Sequence, residues 1–137
     1  VADHSEILPV AEAGFAAFAH GLATGKWSDF LNLLSDDFTF WFPAGPFQGW
    51  NRGKDQAAKF LSAASQVFAG GLTVEVVRIT QGGNTVVFEV KSQGQMLGHP
   101  YQNQAAIAFE VQGEQIIAYR EYLGVIFQLP PKEASES

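Results

Sequence analysis

The chain has 137 residues, no cysteine and a formal net charge of −6, with 16% charged against 47% hydrophobic residues. That length fits one domain, the missing cysteine excludes disulfides, thiolate metal sites and cysteine nucleophiles, and eight Lys plus Arg leave no basic footprint for a nucleic acid. Twelve Phe, three Trp and three Tyr exceed what a lightly charged surface can use, so the surplus must fill a core, line a pocket or cover a subunit interface.

In chain order, residues 5–24 place Leu8, Ala11, Phe15, Phe18 and Leu22 at steps of three and four, the stripe of an amphipathic helix. Pro9 suits its first turn, and Gly21 and Gly25 mark its end. A second, short helix follows from Trp27, Phe30, Leu31 and Leu34 at i, i+3, i+4 and i+7, with Ser28 and Asp29 in its first turn. From Asp37 to Pro43 the period changes to two, and Phe38, Phe40 and Phe42 line one face of a strand. Asp36-Asp37 reads as the turn between helix and strand. Residues 44–53 are expected to be a Gly/Pro loop, and Gly53 to Phe68 a third helix with the cleanest 3.6-residue stripe, stopped by Gly70 and Gly71. Four strands follow: Leu72 to Gln81, Thr85 to about Gln93, Tyr101 to Val111 and Gln115 to about Phe127. The turns at Gly82-Gly83-Asn84 and Gln112-Gly113 make them antiparallel neighbours, with a loop at Gly94 to Pro100. The expected domain is 1–129, with a frayed tail at 130–137.

This order predicts an α+β fold in which three helices lie on one face of a strongly curved, antiparallel or mixed sheet, as a cone. No run of 18 apolar residues and no signal-peptide pattern in residues 1–25 lead to the expectation of a soluble, cytoplasmic chain with no membrane partner.

Five strings, Gly25-Lys26-Trp27, Leu34-Ser35-Asp36-Asp37-Phe38, Gly53-Lys54-Asp55, Gly98-His99-Pro100-Tyr101-Gln102-Asn103 and Arg120-Glu121-Tyr122, occur here in an order and spacing that resemble the SnoaL-like branch of the nuclear transport factor 2-like superfamily. The resemblance runs over about residues 7 to 127. It implies a cystatin-like, cone-shaped α+β barrel, commonly a homodimer through the outer face of the sheet, with a mostly apolar cavity. It does not fix the chemistry, because the scaffold hosts isomerases, cyclases, dehydratases, hydrolases and plain binders. Compared with the related ketosteroid isomerases, whose site uses an Asp base with a Tyr and a protonated Asp as oxyanion hole, the matching positions here are Phe42, Phe18 and Ile107. None can exchange a proton, which argues against that reaction at that site.

With Ile107 pointing inward, the period of two brings Tyr101 and Asn103 to the same face, and the resemblance implies that the face of the last strand carrying Tyr119 and Glu121 is the cavity side. Walls are expected from Phe15, Phe18, Phe40, Phe42, Phe60 and Leu61. Glu121 is then either a general acid or base in an apolar cavity or the member of an interior polar network. His99, before Pro100, is either a proton shuttle at the mouth or a surface residue. Trp41 and Trp50 form either a lid, with Trp41 against the ligand, or, for Trp41, an outer-face contact to a partner subunit. Three scattered histidines do not make a metal site, and there is no phosphate loop, dinucleotide fingerprint or nucleophile elbow; no cofactor is expected. The reading is a cavity for a compact hydrophobic or aromatic, oxygenated molecule, with cofactor-free acid–base chemistry at Glu121. The alternative is a non-catalytic ligand-binding or interaction module.

Overall fold

The computed structural model describes residues 4–124 and Pro130. The expected continuation of the last strand to Phe127 and the tail after Pro130 lie outside the described residues. Helix α1 spans His4–Thr24 and α2 Ser28–Asn32, followed by β1 (Leu34–Phe42), a 3-10 turn (Gly45–Phe47) and β2 (Gly49–Arg52). Helix α3 is Lys54–Val67, and the chain then runs through β3 (Leu72–Gly82), β4 (Thr85–Met96), β5 (His99–Gln112) and β6 (Gln115–Gly124). The six strands form one sheet in the order β2-β1-β6-β5-β4-β3. Every pairing is antiparallel except β1 with β6, which is parallel.

Three expectations change. The segment taken as loop 44–53 contains β2, which pairs antiparallel with β1 through Thr39↔Arg52 to Phe42↔Gly49. Leu34, counted with the second helix, opens β1, so that Asp36-Asp37, read as the turn, lie within the strand, and Ile116 donates its backbone N–H to the Leu33 carbonyl at 2.8 Å. The expected loop 94–100 is a tight hairpin, with β4 running to Met96 and β5 starting at His99. Its two turn residues, Leu97 at φ 52° and Gly98 at φ 84°, both have the positive φ that a two-residue hairpin turn of the I′ type demands.

Helix α1 crosses the inner face of β3 to β6, while α3 lies over β1 and β2. By length and composition Glu6–Thr24 is apolar enough to cross a membrane; here the helix buries Ile7, Ala11, Phe15 and Phe18 in the protein core. Two glycines inside α1 allow that close packing. A Cβ on Gly21 would fall 2.2 Å from the Trp27 ring, and one on Gly14 2.4 Å from Ile116 Cδ1. Trp27, in turn, ties α2 to α3 by donating its indole N–H to Ser65 Oγ at 2.8 Å.

Register shifts between Val76 and Arg78, between Glu110 and Val111, and between Leu34 and Thr39 are bulges that sharpen the bend of the sheet. The result is a cone. Its closed end is packed with rings: Phe15 stacks on Phe88 at 4.5 Å, Phe18 lies 5.3 Å from Phe30, and Phe109 is within 6.4 Å of Phe15, Phe18, Phe30, Phe88 and Tyr119.

Candidate functional site

The other end of the cone is open inside. A cavity of about 340 Å³ lies between α3, the segment Phe42–Phe47 and the inner faces of β3 to β6, at the small end of the range of about 300–1,000 Å³ usual for small-molecule sites. A larger hollow of about 1,050 Å³ runs over β3, β4 and β5 and includes Thr73, Glu75, Lys91, Gln93 and Gln102. It is broader, more open and more polar; the smaller cavity is the better site, because it is more enclosed and combines apolar walls with a few convergent polar groups.

Strand alternation aims the polar groups. On β6, Tyr119 and Glu121 are two residues apart and share the inner face; across β5 they stand opposite Phe109 and Ile107. The Tyr119 hydroxyl donates to Glu121 Oε1 in a short hydrogen bond. Tyr119 is 2% exposed, wedged against Phe18 at 5.6 Å and Phe60 at 6.2 Å. Glu121 is half-buried and borders the cavity, so a water-sized molecule reaches it. That burial raises its carboxyl above the usual carboxylate range, and the Tyr119 hydrogen bond pulls partly the other way. Burial first, and then the charge and hydrogen bonding of Glu121, push the Tyr119 phenol well up, so it stays protonated. Tyr101 is raised by burial, lowered by the hydrogen bond from Asn103, and raised again by the neighbouring Glu121 charge.

Most residues chosen from the sequence line the cavity: Phe18, Phe42, Phe60, Leu61, Tyr101, Ile107, Tyr119 and Glu121. The three positions matched to the isomerase groups, Phe18, Phe42 and Ile107, therefore all face it, and all are apolar.

Five of the chosen residues sit elsewhere. Phe40, expected as a wall, is fully buried core between Phe38 and Phe60. Trp41 alternates with Phe40 and Phe42 and so points to the outer face, where it lies 5.3 Å from Tyr122; the lid is not formed, and Trp50, its partner across β2, is 64% exposed. Phe15 is core, covered by Phe88 and Phe109. Asn103 stands behind Tyr101, donating Nδ2–H to its hydroxyl at 2.8 Å while accepting the Gln104 N–H. His99 is exposed at the start of β5, outside the cavity.

Sequence reasoning did not place Phe47, Val67, Phe68, Met96 and Leu123, which also line it. Phe47 is brought in by the 3-10 turn and meets the edge of Phe60 at 5.5 Å. The turn is held by Asn51, whose Nδ2–H donates to the Phe47 and Gly49 carbonyls, and Asn51 accepts from Gln56. Met96 enters because the Leu97 N–H donates to the Val67 carbonyl, fastening the hairpin tip to the end of α3.

Among the described residues no Lys, Arg or His lines the cavity, and no group of three or more His, Asp or Glu could hold a metal ion. The arrangement offers a carboxyl with one committed oxygen, a phenol fixed to it, and a second phenol, Tyr101, whose own proton has no acceptor among the described residues. Such a set can bind an oxygen function and exchange a proton with it.

The SnoaL-like domain family matches residues 15–119. An NTF2-like protein from Anabaena variabilis is similar at 44% identity, over 92% of this chain and 96% of that one, with a TM-score of 0.86. A protein of unknown function with cystatin-like fold from Xanthomonas campestris aligns at 16% identity over 87% and 91% of the two chains, TM-score 0.74. An LEH-like epoxide hydrolase from M. tuberculosis aligns at 22% identity over 88% and 84%, TM-score 0.65. The last two share the fold. No curated protein matches the chain.

Proposed function

The chain belongs to the SnoaL-like domain family, and from that premise we propose that its cavity binds a compact hydrophobic or aromatic, oxygenated small molecule. The observation that carries this reading is the enclosed, ring-lined cavity of about 340 Å³ with the Tyr119–Glu121 pair in its wall. The apolar body of the ligand takes the place of contacts that the walls otherwise lack, at about 25 cal/mol per Å² of apolar surface removed from water. Its oxygen meets the free Tyr101 proton. Glu121, whose carboxyl burial raises above the usual carboxylate range, then serves as general acid or base in a cofactor-free step of the isomerase, cyclase or dehydratase kind. Ketosteroid isomerase chemistry is not proposed, because Phe18, Phe42 and Ile107 occupy the positions it would need. That an epoxide hydrolase shares this fold supports a cavity in which small molecules are converted.

The Tyr119–Glu121 hydrogen bond also favours a second reading, a carrier that holds its ligand without converting it, since the pair is already satisfied on one side. Either way a homodimer through the outer face belongs to the proposal: Trp41 and Tyr122 meet there, and Val77 and Tyr122 border one shallow groove.

Native mass spectrometry of protein purified without added ligand tests the reading. A small molecule retained on the folded chain, and a rise in melting temperature with aromatic alcohols or ketones, are the expected results. Absence of both overturns it. Turnover of a bound ligand that is lost, with its pH dependence, in Glu121→Gln would select the enzyme over the carrier.

A further inference from the structure

Resting on the ligand-binding reading and narrowing it, the geometry points to a ligand whose polar end includes a protonated amine, seated against Glu121, with any oxygen function left to Tyr101. Three observations converge. Among the described residues the cavity carries one carboxyl group and no Lys, Arg or His in its lining, so no cation there pairs with an anion or balances a carboxylate. Seven rings border it, from Phe18, Phe42, Phe47, Phe60, Phe68, Tyr101 and Tyr119, and ring faces attract cations most strongly where water is excluded. Finally, Tyr119 occupies Oε1 of Glu121, while Oε2 has no hydrogen-bond donor among the described residues.

An ammonium group meets all three conditions: it brings a positive charge, N–H donors for Oε2, and a surface that the rings stabilise. A neutral alcohol brings only the donor, and an anion would face both the ring quadrupoles and the carboxyl.

In the empty cavity burial favours the protonated carboxyl. Binding is then an exchange. The carboxylic acid gives up its proton to solvent, the ammonium takes that proton's place as the positive partner, and the cavity stays neutral throughout. No other bond is made or broken. Tyr119, Tyr101 and Glu121 itself are the titratable groups facing this point from β5 and β6; α3 and the Phe42–Phe47 segment contribute none to the lining.

Isothermal titration with 2-phenylethylamine and with 2-phenylethanol, which share a body and differ in the polar end, separates the possibilities. From about pH 5 to about pH 8 the amine stays protonated. Its affinity is expected to rise up to about tenfold per pH unit until the carboxyl is ionised and then level off. Where the affinity rises with pH, up to one proton should be released per amine bound, read from buffers of different ionisation heat and falling to none on the plateau, and at the upper end the amine should bind at least about tenfold more tightly than the alcohol. The alcohol should show no rise with pH. Glu121→Gln is expected to abolish the amine's advantage and the proton release, and Glu121→Asp to restore part of both. An amine that binds no more tightly than the alcohol, or without proton release, overturns the inference and leaves the cavity reading standing. An advantage that survives Glu121→Gln places the cation elsewhere and overturns it too. If neither compound binds, the cavity reading falls and takes the inference with it.

Discussion

At the end of the cone where α1 and α2 meet the sheet, Phe15, Phe18, Phe30, Phe88 and Phe109 fill the space ring against ring; at the end covered by α3, Phe42, Phe47 and Phe60 are just as close to one another and yet surround a void. Aromatic content does not distinguish the two. What differs is the facing residue. Toward the closed end α1 presents Phe15 and Phe18 and α2 presents Phe30, whereas the open end is faced by Ala63 and Ala64 of α3, Ala44 of the loop and Ala105 of β5. The rings keep their mutual contacts but meet alanines on the facing side, and the void is the space that larger side chains there would fill.

The largest effect that could break this comparison is in stability. Phe109→Ala, at a site with 0% exposure and five ring neighbours, should cost about 3–5 kcal/mol. Phe42→Ala, which enlarges an existing void, should cost less than half of that, both read from urea unfolding. Equal losses would mean that the open end is packed as tightly as the closed one. The next effect sharpens the electrostatic side. The folded carboxyl of Glu121 lies above its unfolded value of about 4.3, so the folded state binds the proton more tightly. Stability contributed by this group is therefore present at low pH and declines as pH rises through the folded value. Subtracting the unfolding free energy of wild type from that of Glu121→Gln, pH by pH, cancels the other carboxylates. The difference should grow in favour of the variant as pH rises. A difference that shrinks would show the carboxylate to be stabilised where it sits. The smallest effect lies at the rim. Leu97 holds φ 52° in the hairpin turn with its side chain 71% exposed, and Leu97→Asn should stabilise by up to about 1 kcal/mol, because Asn tolerates that backbone conformation. A loss instead would mean that the exposed Leu97 side chain contributes to holding the hairpin against α3.

Strand parity carried most of the site in the sequence. With Ile107 set inward, the period of two brings Tyr101 to the cavity wall, but it brings Asn103 to the same face, and Asn103 stands behind Tyr101 instead; on β6 the resemblance, not the period, chooses the face of Tyr119 and Glu121. The same rule, applied to Phe40-Trp41-Phe42, turns Trp41 outward, and the lid alternative set that rule aside. Strand β2 was not legible, since four residues with one apolar member show no alternation and its pairing with β1 supplies the structure. Gly94 and Gly98 read together as a loop. Gly98 does turn the chain, but Gly94 lies inside β4 and is glycine because a Cβ there would fall 2.7 Å from the Gly71 carbonyl oxygen. Phe47, Val67 and Met96 reach the cavity through hydrogen bonds made by Asn51 and Leu97, contacts between distant segments that no local pattern announces.

The parallel pair of β1 and β6 has a consequence for how the protein comes into being. Strands β3 to β6 each pair with the strand that precedes or follows them, so a growing chain can lay them down in turn, whereas Phe40 meets Tyr119 and Trp41 meets Arg120 across about 80 residues of intervening sequence. Contacts of such span are the slowest to close. Phe42, Tyr119 and Glu121, which face each other across that seam, have no common cavity until β6 has been synthesised and docked. The binding site is therefore a product of the final step of folding, and a nascent chain released before β6 carries its aromatic residues without the pocket that gives them a purpose.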